Sequence, residues 1–391
     1  MRTPINIDDL RDRARKRLPR MFFDYLDSGA FGEVTLRRNR ADFERLELRQ
    51  QVLVDVSDRD LTHTLLGRKL SMPLMLAPIG FCGMMSPAGE IQAARAAKAC
   101  GVHLCVSTFA ITSLAATAAA AGFAPDFQLY VFKDRGFTEA LVETARAAGS
   151  TTLFVTVDTA VSGLRERDVR NGFRVATRLG LRPMTDMMLH PRWCAGVAKT
   201  WPPQLGNFAG DARFKGNLMH QASTLARQVD SSLQWSDIKW LRDLWPGRLV
   251  LKGVMTPEDA RRAADHGVDG IVVSNHGGRQ LDGARSTISA LPGIADVVGG
   301  RVELLLDSGV RRGSDIVKAI ALGADGVLIG RAFMYGLAAH GEAGAVAAIK
   351  MLAAEMELTM AFMGLRNVSE LKAAGRGAVS MPHLGFTTHI V

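Results

Sequence analysis

Eight short apolar runs, most of them separated by stretches of helical periodicity, constrain this chain more than any other feature. The runs fall at 73–79, 102–106, 127–131, 152–157, 249–252, 269–274, 302–307 and 325–329. They alternate too little for half-exposed strands and are too short for helices, so they read as strands buried on both faces. Helical patterns lie between them at 88–100, 112–121, 136–148, 235–244, 257–266, 287–298 and 312–322. Eight such strand–helix units predict an α/β fold, a closed (β/α)8 TIM barrel, rather than an open doubly wound sheet. No GxGxxG follows the first run, which weighs against a dinucleotide-binding sheet.

The remaining segments are arranged around that rhythm. Residues 8–26 predict one helix, with Leu10, Leu18, Met21, Phe22 and Tyr25 on a broad apolar face, Asp8 as its cap and DSGA at 27–30 as its stop. Residues 40–72 are mixed and polar, a lead-in to the barrel. The alanine-rich stretch Leu114–Ala121 reads as a barrel helix ended by Gly122, since alanine is the best helix former. About ninety residues separate the fourth run from the fifth, far beyond an ordinary crossover, so 163–232 is an insertion. A final amphipathic helix at 341–363 precedes a Gly-rich tail at 375–391. The whole chain, 1–391, is expected to form one domain, with the barrel over about 73–340 and the C-terminal helix and tail over 341–391.

Composition narrows the partners. An apolar fraction of 47% permits a large core, and a net charge of +9 suits anionic substrates, a phosphate-bearing cofactor or an anionic membrane surface. Neither a zinc-ligand pattern nor a helix-turn-helix signal accompanies the charge, so nucleic acid is not an expected partner. Cys82, Cys100, Cys105 and Cys194 have no CxxC spacing, which argues against a metal site or a disulfide framework and for a reducing compartment. The first residues lack the apolar core of a signal peptide, and no run of 18 apolar residues occurs, so neither secretion nor membrane spanning is expected.

In such a barrel the active site lies at the carboxyl ends of the strands. Those ends carry Ser107 and Thr108, Gln128 and Tyr130, Thr156 and Asp158, Lys252, Ser274 and His276, Asp307, and Gly330 with Arg331. After the sixth run comes SNHGGRQLD, 274–282, in which His276 is a candidate base, Arg279 a bidentate anion holder, and the glycines allow backbone to approach a flat ligand. A lone histidine is more often structural; this one stands among convergent polar groups. DSGVRRG at 307–313, with Gly309 and Arg311, and GRAF at 330–333 each open a helix, and together they suit a phosphate. In LRERD, 164–168, Arg165 can join Arg279 in clamping a small carboxylate, while Glu166, Arg167 and Asp168 read as a solvated charged run. Asp158 can hold the imidazolium formed on His276, and Lys252 meets the need for a cation near an electron-accepting ring. Tyr25 at a helix end reads either as packing or as a hydroxyl pointing into the site.

These motifs, with DYLDSGA (24–30), FQLYV (127–131), TVD (156–158) and LKG (251–253), closely resemble the FMN-dependent L-2-hydroxy acid oxidising family over nearly the entire length. Glycolate oxidase, bacterial L-lactate dehydrogenase and (S)-mandelate dehydrogenase belong to that family. The resemblance implies His276 as the base, Asp158 as its stabiliser, Arg279, Tyr25 and Arg165 as carboxylate holders, and Tyr130 against the substrate oxygen. It implies FMN as cofactor, with Lys252, Ser107, Gln128, Thr156, Ser274 and the backbone of Pro78, Ile79 and Gly80 around the ring and ribityl chain. Asp307, Gly309, Arg311, Gly330 and Arg331 would hold ribityl and phosphate.

APIGFCGM (77–84), TLRRN (35–39), HPRW (190–193) and LGNF (205–208) look closest to the lactate-type pattern, whereas RERD (165–168) and SLQWSDIKWLRDLWP (232–246) look closer to the mandelate type. Phe109 occupies a pocket position at which the family varies. The expectation is therefore oxidation of an L-2-hydroxy acid, lactate first, with electrons passing to a membrane quinone. The alternatives are mandelate as substrate, oxygen as acceptor, or a phosphate-binding barrel without redox chemistry. A homotetramer on the cytoplasmic face of the cell membrane is implied by the same resemblance. Within the insertion, 182–208 interleaves Met184, Met187, Met188, Leu189, Trp193, Trp201 and Phe208 with Arg182, Arg192 and Lys199, and it reads either as an anchor to anionic headgroups or as a lid.

Overall fold

The computed structural model describes residues 3–173, 180–200, 203–214 and 216–380. Eight parallel strands close into a barrel in chain order: β1 (Leu74–Leu76), β2 (His103–Ser107), β3 (Asp126–Leu129), β4 (Thr152–Thr156), β5 (Arg248–Val254), β6 (Gly270–Val273), β7 (Glu303–Leu306) and β8 (Gly326–Ile329). Strand β8 pairs back onto β1. Each strand overlaps its apolar run, and the intervening helices form within two residues of their patterns, as in Gly89–Ala99, Trp235–Leu244 and Thr287–Val298. The (β/α)8 expectation holds.

The lead-in at 40–72 is more structured than its polarity suggested. It contains a hairpin, His63–Leu65 with Arg68–Leu70, whose Leu65, Leu66 and Leu70 join Met75, Cys105, Phe154, Val250, Val272, Leu305 and Leu328 in one buried cluster. Leu65 and Leu66 press against Gly326 and Gly270, at the starts of β8 and β6, so the hairpin plugs the amino-terminal end of the barrel. Three leucines among charged residues give no strand periodicity, which is why sequence reasoning passed over them.

The single helix expected at 8–26 is two: α1 (Ile7–Arg17) and α2 (Arg20–Asp27). Pro19 forces Leu18 out of helical geometry, to φ −88 and ψ 141, and the axis breaks there. The cap of α1 is Asn6, whose side chain accepts from the Asp9 N–H, and not Asp8. A third helix, α3 (Val34–Glu44), then crosses toward the β6 loop.

The insertion carries α4 (Glu166–Arg170), α5 (Leu181–Met188), α6 (Pro191–Ala198) and α7 (Leu218–Gln228). Two aromatic groups expected at a headgroup layer pack against the protein core instead. Trp193 stacks on Phe22 at 4.9 Å and donates through Nε1 to the Met84 carbonyl at 2.8 Å. Phe208 is 5% exposed among Phe132, Phe137 and Phe214. Leu181, Met184, Met188 and Leu189 of the same segment are exposed. Trp201 lies outside the described residues. After β8, α8 (Arg331–His340) and α9 (Glu342–Phe362) pack against each other and complete the shell. Val379–Ser380 then pairs antiparallel with Glu47–Leu48, and the tail beyond residue 380 lies outside the described residues.

Candidate active site

The carboxyl ends of the strands surround a cleft of about 1390 Å³, a volume that includes the open solvent at its mouth. Its lining includes Tyr25, Pro78, Ile79, Gly80, Ser107, Gln128, Tyr130, Thr156, Arg165, Lys252, His276, Arg279, Asp307, Gly309, Arg311, Gly330 and Arg331. Every residue that the family resemblance implied for the site therefore faces one cavity, except Asp158 and Ser274. Those two stand behind the lining and support it.

His276 follows β6 in a left-handed conformation, φ +58, which is costly for a residue with a Cβ and is held by its surroundings. Its backbone N–H donates to Ser274 Oγ at 3.1 Å, and its Nδ1 lies 3.0 Å from Asp158 Oδ1. With Nδ1 protonated toward the carboxylate, Nε2 carries the lone pair, the arrangement a base requires. Asp158 is positioned by a β-bulge in β5, where the pairing with β6 shifts between Lys252 and Val254. A Cβ on Gly253 in that bulge would come within 2.6 Å of the Asp158 Cβ. Gly278, further along the motif, approaches α3 equally closely: a Cβ there would stand 2.6 Å from the Leu36 nitrogen.

The ring register brings the remaining groups level. Thr156 pairs with Lys252 across β4 and β5, and Ser107 pairs with Gln128 across β2 and β3. Lys252 Nζ makes a 2.8 Å ion pair with Asp307 Oδ2 and donates to Ser274 Oγ at 2.9 Å. Burial alone would lower Lys252, but Asp307, with Asp158 beyond it, more than offsets that and raises it; Asp307 is lowered in turn, its own burial cost outweighed mainly by the lysine. Ser107 Oγ donates to Gln128 Oε1 at 3.1 Å, which fixes the amide, and the buried Gln128 Nε2 has no partner among the described residues. A buried donor without an acceptor is costly, so this one marks where a polar ligand edge would sit.

Two arginines flank Tyr25, their Cζ atoms 4.7 Å (Arg279) and 5.9 Å (Arg165) from its ring centre. Tyr25 is boxed by Phe81 and Phe173, with ring centroids at 5.6 and 4.6 Å, so its place in the site is set by packing as well as by helix position. Arg279 Nη1 donates to the carbonyls of Tyr25 and Ser28. Burial, and then the neighbouring Arg165, push Arg279 down to about 9. Phe109 packs edge-on to Tyr130 at 5.4 Å, and a Cβ on Gly80 would press on Phe109 at 3.0 Å.

At the phosphate end, the side chain of Arg331 also holds backbone carbonyls. Its Nε, Nη1 and Nη2 donate to the carbonyls of Leu26, Gly277 and Ser28 at 3.0, 3.0 and 2.8 Å. Those bonds use three of its five guanidinium N–H groups, so two of them, with the backbone N–H in the first turn of α8, remain for an anion. Arg311 commits Nη1 to the Val310 carbonyl at 2.7 Å.

In the run 166–168, read from sequence as solvated, Glu166 does face solvent, with 44% of its side chain exposed, but its neighbours are engaged. Asp168 is 4% exposed and pairs with Arg165, and Arg167 reaches Asp27 at 3.3 Å and Glu33 at 2.8 Å. Asp27 also accepts from Arg11 and from the Tyr335 hydroxyl. Burial would raise its carboxyl, but these donors prevail and hold it at about 2. Gln280 was likewise passed over. Its Nε2 donates to the carbonyls of Asp158 and Val161, and its Oε1 accepts from Gly163 N, which ties the loop bearing Asp158 and Arg165 to the loop bearing His276 and Arg279. No sequence signal separates such ties from ordinary polar loop residues.

The family profile of FMN-dependent dehydrogenases matches residues 14–376. An L-lactate dehydrogenase of Caulobacter vibrioides is 48% identical over 364 residues, which is 93% of this chain and 95% of that protein. One from Pectobacterium atrosepticum is 45% identical over the same share of this chain and 94% of its own. Among solved structures, an (S)-mandelate dehydrogenase described as a monotopic membrane protein superposes with a TM-score of 0.91 at 40% identity, covering 97% of this chain and all of that one. A soluble mutant of the membrane-associated (S)-mandelate dehydrogenase from Pseudomonas putida gives 0.82 at 39% identity, covering 97% and 99%.

Proposed function

This chain belongs to the FMN-dependent dehydrogenase family, and from that premise we propose that it oxidises L-lactate to pyruvate and passes the electrons to a membrane quinone. The observation that carries the reading is the convergence on one cleft of a carboxylate-supported imidazole, His276 with Asp158, and two arginines flanking Tyr25. A small 2-hydroxy acid needs both: a base for the hydroxyl or carbon-bound proton and a cationic fork for the carboxylate.

The residues present fit FMN. The partnerless Gln128 Nε2, with Ser107, Thr156, Lys252, Ser274 and the 78–80 backbone, suits a flavin ring and ribityl chain. Asp307, Gly309, Arg311, Gly330 and the Arg331 N–H suit ribityl hydroxyls and phosphate. When bound, FMN supplies the acceptor for the two electrons that leave the substrate carbon. Arg279 and Arg165 orient the carboxylate, Tyr130 contacts the substrate oxygen, and His276 Nε2 receives the proton. Asp158, hydrogen-bonded to Nδ1, stabilises the imidazolium that results. Lys252 presents a fixed positive charge toward the ring, kept charged by Asp307.

Mandelate is the second reading. Gly80, Ala226 and Val229 are small residues in the lining, and the aryl-acid enzyme is a close structural relative. Anaerobic mixing of the FMN-loaded protein with L-lactate and with (S)-mandelate, followed by flavin absorbance, tests both. Rapid bleaching by lactate supports the first reading, and bleaching by mandelate alone replaces it with the second.

Peripheral membrane contact, on the cytoplasmic face, is part of the same proposal. Among the described residues no helix is long and apolar enough to cross a membrane. The exposed Leu181, Met184, Met188 and Leu189, beside Arg182, support contact through α5 and the turn after it. A homotetramer is the expected assembly, and sedimentation equilibrium reads it directly.

A further inference from the structure

Asp168 is the least expected buried charge near the cleft. It occupies the third position of α4, whose N-cap is Arg165, and a carboxylate there usually reaches back to the N–H groups of the first turn. Asp168 makes no such bond. Its Oδ2 accepts from Arg165 Nε at 2.6 Å, and its Oδ1 is buried without a partner among the described residues. The two side chains are 6% and 8% exposed. No other hydrogen bond engages the Arg165 side chain among the described residues, so Nη1 and Nη2 are left for the cleft that this side chain lines. Arg279 also lies against the Tyr25 ring, and the two guanidinium groups line the same cleft.

We propose that Asp168 is a positioning residue for the substrate-carboxylate clamp: it holds Arg165 by Nε so that both terminal nitrogens face the cleft, and its charge lets two arginines remain protonated side by side. Without a counter-anion, each guanidinium raises the cost of the other's charge in a desolvated site. The electrostatics run the same way, since Asp168 raises Arg279 while burial and Arg165 lower it. Asp168 thus acts through Arg165 and Arg279 and does not itself touch substrate.

The inference rests on the 2-hydroxy acid reading, and binding of oxalate to the wild-type FMN-loaded protein, read from the flavin spectrum, tests that reading separately. Asp168→Ala removes the hold on Nε and is expected to weaken oxalate binding roughly tenfold at neutral pH with FMN content unchanged. Asp168→Asn keeps an acceptor for Nε but removes the charge. It is expected to bind oxalate without loss at neutral pH, while the pH above which binding declines moves down by roughly half a unit or more. Asp168→Glu, which restores the charge, should move that pH back up. Oxalate binding at wild-type strength in Asp168→Ala, or an unmoved alkaline decline in Asp168→Asn, overturns the inference. Should the alanine variant not fold, the asparagine pH profile decides alone.

Discussion

His276 Nδ1 and Asp158 Oδ1 lie 3.0 Å apart, and the other Asp158 oxygen is buried without a partner among the described residues. The carboxylate therefore has capacity in reserve for the charge that appears on the imidazole during turnover. His276→Gln keeps a hydrogen-bonding side chain and removes the base. FMN should stay bound while flavin reduction by L-lactate slows by at least ~10²-fold. Stopped-flow absorbance checks this, and a near-normal rate would remove His276 from its role.

Arg279→Lys retains the positive charge but loses the planar fork and the paired bonds to the Tyr25 and Ser28 carbonyls. A loss on the order of 2 kcal/mol is expected, roughly thirtyfold in kcat/KM. Unchanged lactate kinetics would mean that the carboxylate binds elsewhere.

The pH dependence of substrate capture follows from the same residue. Burial and Arg165 push Arg279 down to about 9 in the free enzyme. A carboxylate binds the protonated form, so affinity is full below that value and falls as pH rises through it. The profile of kcat/KM, which reports the free enzyme, should decline above pH 9. In the Asp168→Asn protein the decline should begin lower.

Stability has an acid limb tied to Asp27, whose carboxyl is held at about 2 by Arg11 and Tyr335. A carboxylate with a folded value below its unfolded one, near 3.8, contributes stability that is complete above the unfolded value. That contribution disappears as pH falls toward 2. Asp27→Asn should therefore lower the melting temperature at pH 7 by the equivalent of about 2 kcal/mol, and the difference should shrink as the pH drops below 4. Calorimetry at several pH values reads the difference.

For the membrane contact, replacing 182–208 wholesale would also remove Trp193 and Phe208 from the core. Point changes are cleaner. Leu181→Ser, Met188→Ser and Leu189→Ser together should abolish co-sedimentation with vesicles containing phosphatidylserine while dye reduction by lactate persists. Binding that survives all three changes would put the contact elsewhere.

The barrel was legible because buried parallel strands carry dense, local signals, and so were the groups at their ends, since the strand ends converge by topology. What escaped were relationships set by tertiary approach. The Leu65, Leu66 and Leu70 plug looks polar because its neighbours are charged, and Pro19 divides a helix whose apolar face continues on both sides. Asp168 resembles any charge in a solvated run until α4 turns it inward. Arg331 sits where a phosphate contact was expected, and its side chain also holds carbonyls, a second task that depends on where α2 ends.

That last arrangement bears on how the chain can be handled. The carbonyls of Tyr25, Leu26 and Ser28, at and just past the end of α2, are held by Arg279 and Arg331. The stretch before the barrel is thus one jaw of the clamp rather than a leader to it. Trimming the chain to residue 31 would keep every strand and still strip both guanidinium groups of those acceptors, stranding cations in a dry space. Expression tags placed ahead of residue 7 should be harmless, whereas a start codon moved past α2 should yield a colourless, aggregating barrel.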